Sequence, residues 1–182
     1  MAQSDAKLVL RALNGDERAF GELYDRYVRL VRAICYDSTG ELNQAQDMGQ
    51  EVFLRAYERL GELKEPELFG RWVVSITRNV CREFRRGKYR DRHILVGLDP
   101  EELGSTGSPD VSSDYRMDYL EAAIGKLSEK ERLALHVYYL QGNDAEKAQE
   151  ILGISRSSFY RVLTAAKEKV ERYIRERGKR EG

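Results

Sequence analysis

The chain of 182 residues is poor in the groups that most often carry chemistry or cross-links: two cysteines, two histidines and one tryptophan. Cys35 and Cys81 lie in separate apolar-periodic segments, with no CxxC pair and no histidine nearby, so they read as buried thiols. His93 and His136 are isolated too, and a metal site needs clustered ligands, so no metal is expected. There is no phosphate-binding glycine loop and no nucleophile–base pair, which predicts a non-enzyme without catalytic residues or cofactors. No long apolar run or signal-like h-region occurs, so neither membrane insertion nor secretion is expected, and the cytoplasm is the expected location. Only three prolines interrupt a chain that is 34% charged and 41% hydrophobic, a composition that suits a helical globular protein and excludes a disordered one.

Net charge is also missing: 31 basic residues balance 31 acidic ones. The distribution is uneven. From Arg71 to Arg92 eight basic residues face two acidic ones, a net +6. From Leu98 to Glu121 the balance is −6, and from Arg156 to Arg180 it is +6 again. Two basic blocks flanking an acidic one point to a protein that meets a polyanion at two places.

What is abundant is helical periodicity. Asn14 followed by Glu17 reads as a helix start, and Phe20, Leu23, Tyr24, Tyr27, Val31 and Ile34 make one apolar stripe ending near Gly40. A second helix starts around Asn43, buries Ala45, Met48, Val52, Ala56 and Leu60, and stops at Gly61. A short loop with Pro66 leads to a third helix, with Phe69, Trp72, Val73, Ile76, Val80 and Phe84 on one face, running out near Gly87. Trp72 on that stripe reads as a core anchor. The stretch 93–114 holds glycines, prolines, serines and acids without a sustained period and reads as a flexible linker. Helices resume near Tyr115. Leu120, Ile124 and Leu127 give the first stripe, Ser128-Glu129-Lys130-Glu131 is a capping box, and Leu133, Val137 and Leu140 follow. The expected architecture is therefore all-α: two small helical domains, 1–92 and 115–182, joined by the flexible acidic linker 93–114.

Three segments carry the functional signal. In the first, a helix capped by Asn143 or Asp144 closes at Leu152-Gly153, and Ile154-Ser155 leads into a long basic helix. Gly153 supplies the left-handed turn of a helix-turn-helix, and the next helix offers Arg156, Ser157, Ser158, Tyr160 and Arg161 at its start, where this motif meets base edges. An ordinary helical hairpin would share the Leu-Gly-Ile-Ser pattern. In the second, Arg78, Arg82, Arg85 and Arg86 lie off the apolar stripe of the third helix as a ridge for phosphates, with the amide of Asn79 beside them. In the third, Asp47, Gln50 and Glu51 make an acidic, amide-rich helix face beside exposed Leu54.

These segments together resemble a known family. Asp47-x-x-Gln50-Glu51-Val-Phe-Leu-Arg-Ala resembles the second conserved region of bacterial RNA polymerase sigma factors. Phe69-x-x-Trp72-x-x-x-Ile76-x-x-Asn79-x-x-x-Glu83-x-x-Arg86 looks like its continuation, and Gly15-Asp16-Glu17-Arg18-Ala19-Phe20-x-x-Leu23-Tyr24 like its start. Leu127-Ser128-Glu129-Lys130-Glu131-Arg132 and Leu152-Gly153-Ile154-Ser155 resemble the fourth region. With the long third region missing, the architecture is similar to the extracytoplasmic-function (ECF) sigma factors.

The resemblance implies a sigma factor that binds core RNA polymerase and directs promoter recognition and transcription initiation. Asp47, Gln50, Glu51 and Leu54 would meet the clamp helices of the β′ subunit. The loop around Lys64 and the helix after it, with Asn79, Arg82, Arg85 and Arg86, would contact the −10 element. Arg156, Ser157, Ser158, Tyr160, Arg161 and Lys167 would serve the −35 element, while the second domain meets the β-flap. An anti-sigma protein is an implied partner. The chain departs from the family where Lys147-Ala148-Gln149 replaces the usual Glu-Ile-Ala; Gln149 in place of a small residue predicts a wider gap between the two helices. Ser157-Ser158-Phe159 replaces the frequent Gly-Thr-Val. The rival reading is a stand-alone helix-turn-helix regulator, which would need the second domain alone and a dimer module.

Overall fold

A computed structural model describes residues 3–95 and 115–178. They fall into two compact units, one within Met1–Gly104 and one within Ser105–Gly182. Both units are helical throughout, with no strand among the described residues. The first holds α1 (Asp5–Leu13), α2 (Glu17–Thr39), α3 (Leu42–Glu58) and α4 (Phe69–Leu95), with two short 3-10 turns, Leu60–Glu62 and Pro66–Leu68, between α3 and α4. The second holds α5 (Tyr115–Gly125), α6 (Glu129–Leu140), α7 (Ala145–Leu152) and α8 (Arg156–Gly178).

In the first unit α2 is the central helix, touching α1, α3 and α4. Its apolar residues recur at three- and four-residue steps, and Leu23, Tyr27, Leu30 and Val31 are buried beside Leu8 and Val9 of α1, Val52 of α3 and Phe69 and Val73 of α4. Aromatic pairs join the helices: Tyr24 with Phe53 at 4.6 Å, Phe20 with Tyr57 at 5.0 Å, and Tyr27 with Phe69 at 5.5 Å between ring centres. Cys35 and Cys81 are both buried, the Cys81 thiol 3.8 Å from the Ile34 carbonyl. The neighbouring Cys81 thiol and, after it, burial push the Cys35 pKa up, so Cys35 stays a thiol.

Helix α1 departs from the sequence reading, in which helices begin only at Asn14. Asn14 instead ends α1, and Asp16 caps α2 by accepting from the amides of Arg18 at 3.1 Å and Ala19 at 3.3 Å. Gly15, at φ 89°, takes the positive angle that lets the chain turn between them. Helix α1 has its own cap, Ser4, and is tied to α2 by Asp5, which accepts from both Arg26 and the Tyr27 hydroxyl.

Helix α3 stops at Glu58, one turn before the expected Gly61, which sits inside a 3-10 turn. Helix α4 does the reverse. It runs past Gly87 to Leu95, because a half-buried glycine inside a strongly amphipathic helix costs only about 1 kcal/mol. It thus takes in the first three residues of the expected linker; the remainder, 96–114, lies outside the described residues. The buried face of α4 is also rotated from the predicted stripe. Val74, Thr77 and Cys81 are buried, whereas Trp72 and Phe84 sit half-buried at its margin. Buried Thr77 is accommodated because its hydroxyl donates to the Val73 carbonyl at 2.8 Å.

In the second unit α8 packs along α5, α6 and α7. Its buried side chains include Ala123, Leu127, Ala134, Leu135, Val137, Ala148, Ile151, Phe159, Leu163 and Ala166, so small residues let the helices approach. Leu120, Ile124, Leu133 and Leu140 of the predicted stripes are half-buried at its edge. The capping box forms as expected. Ser128 Oγ accepts from the Glu131 amide at 3.4 Å, and the Ser128 amide donates to Glu131 Oε2 at 2.9 Å. Lys169 of α8 donates to the other Glu131 oxygen at 2.7 Å, so this carboxylate clamps α6 to α8.

The Lys169 ammonium and the Ser128 amide hold the Glu131 carboxyl down at about 2, below its ordinary 4.5. A folded-state pKa below the unfolded one gives stability that is fully present above pH 4.5 and is lost as pH falls toward 2. Glu131→Gln is therefore expected to cost about 1–2 kcal/mol at neutral pH, since Lys169 is half exposed and screened, and to flatten the acid limb of the urea midpoint between those pH values. An acid limb that is unchanged in the variant would show that Glu131 does not clamp the unit.

Candidate nucleic-acid interface

The helix-turn-helix forms at α7 and α8. Asp144 caps α7 by accepting from the amides of Glu146 at 2.9 Å and Lys147 at 3.0 Å. Gly153 closes it in the left-handed conformation, φ 63° and ψ 38°, as the sequence requires. Ser155 then caps α8, its Oγ accepting from the Ser158 amide at 3.4 Å. Gln149 does not sit between the helices: its amide folds back and donates to the Ala145 carbonyl at 2.8 Å, and fully buried Ala148 supplies the small inward residue. Ile151 is the apolar plug, with Ile154 only half-buried.

Packing of Phe159 inward turns the first turns of α8 outward on their other side. Arg156, Ser157, Tyr160 and Arg161 are exposed there, and the Arg156 guanidinium lies 5.8 Å from the Tyr160 ring centre. Ser158 is half-buried. Lys167 lies further along α8, its ammonium over the rings of Tyr138 at 5.2 Å and Tyr139 at 5.4 Å, so it belongs to the α6 side.

In the first unit Asp47, Gln50 and Leu54 are exposed along one side of α3, at the steps of three and four that align residues on a helix face. Glu51 is half-buried beside them and is already engaged, accepting from Arg55 Nε at 2.6 Å. The other Arg55 branch donates to Glu83 of α4 at 2.8 Å, joining the two helices. Both carboxylates raise the Arg55 pKa, Glu51 the more, so its charge is fixed. Asn79, Arg82 and Arg86 line one cleft between α3 and α4, and Arg82 donates to the Asn79 side-chain oxygen at 3.1 Å. Arg55 and Arg59 form the α3 wall of that cleft, a contribution the sequence reading missed. Its one sequence-level sign is the Glu51–Arg55 spacing of four. Arg85 is exposed on a different flank, toward Cys81, and Lys64 is exposed between the two 3-10 turns, outside the cleft.

Comparison with known proteins finds sigma factors. The family model for sigma-70 region 2 matches residues 23–91, the segment that holds most of α2 and all of α3. The ECF RNA polymerase sigma factor BldN of Streptomyces coelicolor is 30% identical over 151 residues, covering 81% of this chain and 57% of that protein. Residues 23–91 match sigma-70 region 2, and the chain is similar to ECF sigma factors over most of its length. It spans about half the length of two of the curated relatives it matches, BldN among them. Against the RNA polymerase sigma-H factor of Pseudomonas aeruginosa, an alignment with 27% identity covers 96% of this chain and 97% of that one. The same helical fold is seen in the sigma factor RpoE of Bartonella quintana, solved in complex with the anti-sigma factor NepR. It has a TM-score of 0.60 at 17% identity, covering 86% of this chain and 96% of that one. Members of this family are sigma factors rather than enzymes, and no described helix is long and apolar enough to cross a membrane.

Proposed function

We propose that this chain binds core RNA polymerase, carries it to promoter DNA and helps to open that DNA, with the polymerase supplying all the chemistry. The observation that carries this reading is the presence, in one chain, of two differently specialised units. One pairs a partner-type face on α3 with an arginine-rich α4; the other is a helix-turn-helix with a basic, exposed reading end. A stand-alone regulator has no use for the first.

In this reading Asp47, Gln50 and Leu54, with Glu51 behind them, meet the β′ clamp helices. Asn79, Arg82, Arg85 and Arg86, together with Lys64 in the loop before α4, meet the −10 element. Arg156, Ser157, Tyr160 and Arg161 read the −35 element, with Ser158 and Lys167 beside the phosphate path, and the unit also meets the β-flap. Strand opening draws on binding energy, since unstacking a base costs a few kcal/mol. The acidic segment before Tyr115 joins the two domains, and an anti-sigma protein is a fitting inhibitor because the same basic and partner faces are exposed in the free chain.

Binding of the labelled full chain to core polymerase, followed by fluorescence anisotropy, tests this directly. Gln50→Ala is expected to weaken that complex about tenfold or more, the loss of ~1.4 kcal/mol or more from a polar contact at the centre of an interface. Sequence-specific DNA binding by the full chain with no affinity for core polymerase would instead favour the stand-alone regulator.

A further inference from the structure

The cleft between α3 and α4 holds more positive charge than helix α4 alone accounts for. Arg55 and Arg59 close it on the α3 side, and Asn79, Arg82 and Arg86 on the α4 side. The lining includes four guanidiniums and one carboxylate, Glu83, a net +3, around a volume of about 130 Å³. Ile76 is the only apolar lining residue, and no aromatic ring or histidine is present. Such a lining offers no aromatic platform for a base and no ligand set for a metal cation. It suits a compact anion with several acceptor oxygens, because guanidinium forks match phosphate geometry.

The arginines are not idle in the free chain. Glu83 holds one branch of Arg55 at 2.8 Å while Glu51 holds the other at 2.6 Å. Glu62, in the 3-10 turn after α3, grips Arg59 with contacts of 2.7, 3.0 and 3.1 Å. All three carboxylates are at least 44% exposed, so each ion pair is solvent-screened and exchangeable at small cost.

We propose that this cleft is the seat of one backbone phosphate of a DNA strand, held by Arg55 of α3 and Arg59 just after it together with Arg82 and Arg86 of α4, and guarded in the free chain by Glu83 and Glu62. The proposal rests on the reading of α4 as a DNA-facing helix and extends the DNA surface onto α3, otherwise the partner helix. Carboxylates stand in for the phosphate until the strand arrives. The strand then displaces them, and they return to water.

The test uses the full chain without polymerase, so it stands apart from the core-binding experiment. A short oligothymidylate and, separately, inorganic pyrophosphate are titrated in while the side-chain Nε–Hε resonances of Arg55 and Arg59 are followed by NMR. Affinity is read by anisotropy in parallel. Saturable shifts of both resonances with the oligothymidylate are expected. Arg59→Gln should weaken binding several-fold and lower the salt slope by about one. Glu83→Gln should tighten binding several-fold, a gain of function that misfolding cannot mimic. Resonances unmoved at saturation, or a Glu83→Gln variant that binds no tighter, would overturn the proposal. Shifts with pyrophosphate alone would assign the seat to a small free phosphate ligand and overturn the DNA source.

Discussion

Phe159→Ala is expected to remove a large part of the stability of the helix-turn-helix unit at neutral pH. Phe159 is wholly buried, with Tyr138 at 6.0 Å and Tyr160 at 5.5 Å between ring centres. Truncating a buried phenylalanine costs about 3–5 kcal/mol through lost transfer energy and the cavity left behind. A unit of this size has a total stability on the order of 3–9 kcal/mol, at ~0.05–0.15 kcal/mol per residue. Its remaining buried side chains include four alanines, Ala123, Ala134, Ala148 and Ala166, so there is little large apolar volume with which to collapse into the gap. The position also sets function. Phe159 facing inward is what turns Arg156, Tyr160 and Arg161 outward. Far-UV ellipticity against urea should show a large fall in midpoint, and DNA binding through this unit should fail in parallel. Phe159→Leu, which keeps most of the volume, should be far milder. An alanine variant with the parent midpoint would mean that Phe159 is not at the centre of this core.

Asp5→Ala is expected to cost the first unit about 3 kcal/mol. The Asp5 side chain is 13% exposed and that of Arg26 22%, and the carboxylate also accepts from the Tyr27 hydroxyl. Removing it leaves a largely buried guanidinium without its carboxylate and a buried hydroxyl without that acceptor, which costs more than an exposed pair would. Tyr27 packs on Phe69 and Phe69 on Trp72, at 6.0 Å between the last two rings, so the damage sits next to the single tryptophan. Trp72 fluorescence against urea is the direct readout. Asp5→Asn, which can still accept from Tyr27, should lose less. Equal midpoints for all three proteins would show that α1 is not anchored through this residue.

Helix α1 marks where sequence reading ran out. Only Leu8 and Val9 of its apolar residues are buried, while Leu10 and Leu13 stand exposed, and Asn14 is equally good at either end of a helix. The positive φ of Gly15 decided which end, and that is a property of the folded backbone. By contrast α2, α3 and the capping box of α6 were legible because each is specified locally, by regular apolar spacing or by Ser128 and Glu131 three residues apart. Four residues of the expected α4 stripe, Phe69, Val73, Ile76 and Val80, are buried, but Trp72 and Phe84 stand at its margin. Val74, Thr77 and Cys81 are buried with them. The α3 wall of the arginine cleft was hidden for a different reason: Arg55 and Glu83 are 28 positions apart and meet only through helix packing. The reading end of α8 was visible from Gly153 and Ser155, whose conformations the sequence dictates. Lys167, placed with that end through the family resemblance, stands over two tyrosines of α6.

The central claim, that this chain gives RNA polymerase its promoter choice, is tested most directly by transcription from a pooled library of promoter fragments. Purified bacterial core polymerase is used with and without the chain, and transcript starts are mapped. Start sites that appear only with the chain, share a common upstream sequence and are lost with both Gln50→Ala and Arg161→Ala are the predicted result. Start sites identical with and without the chain would contradict it.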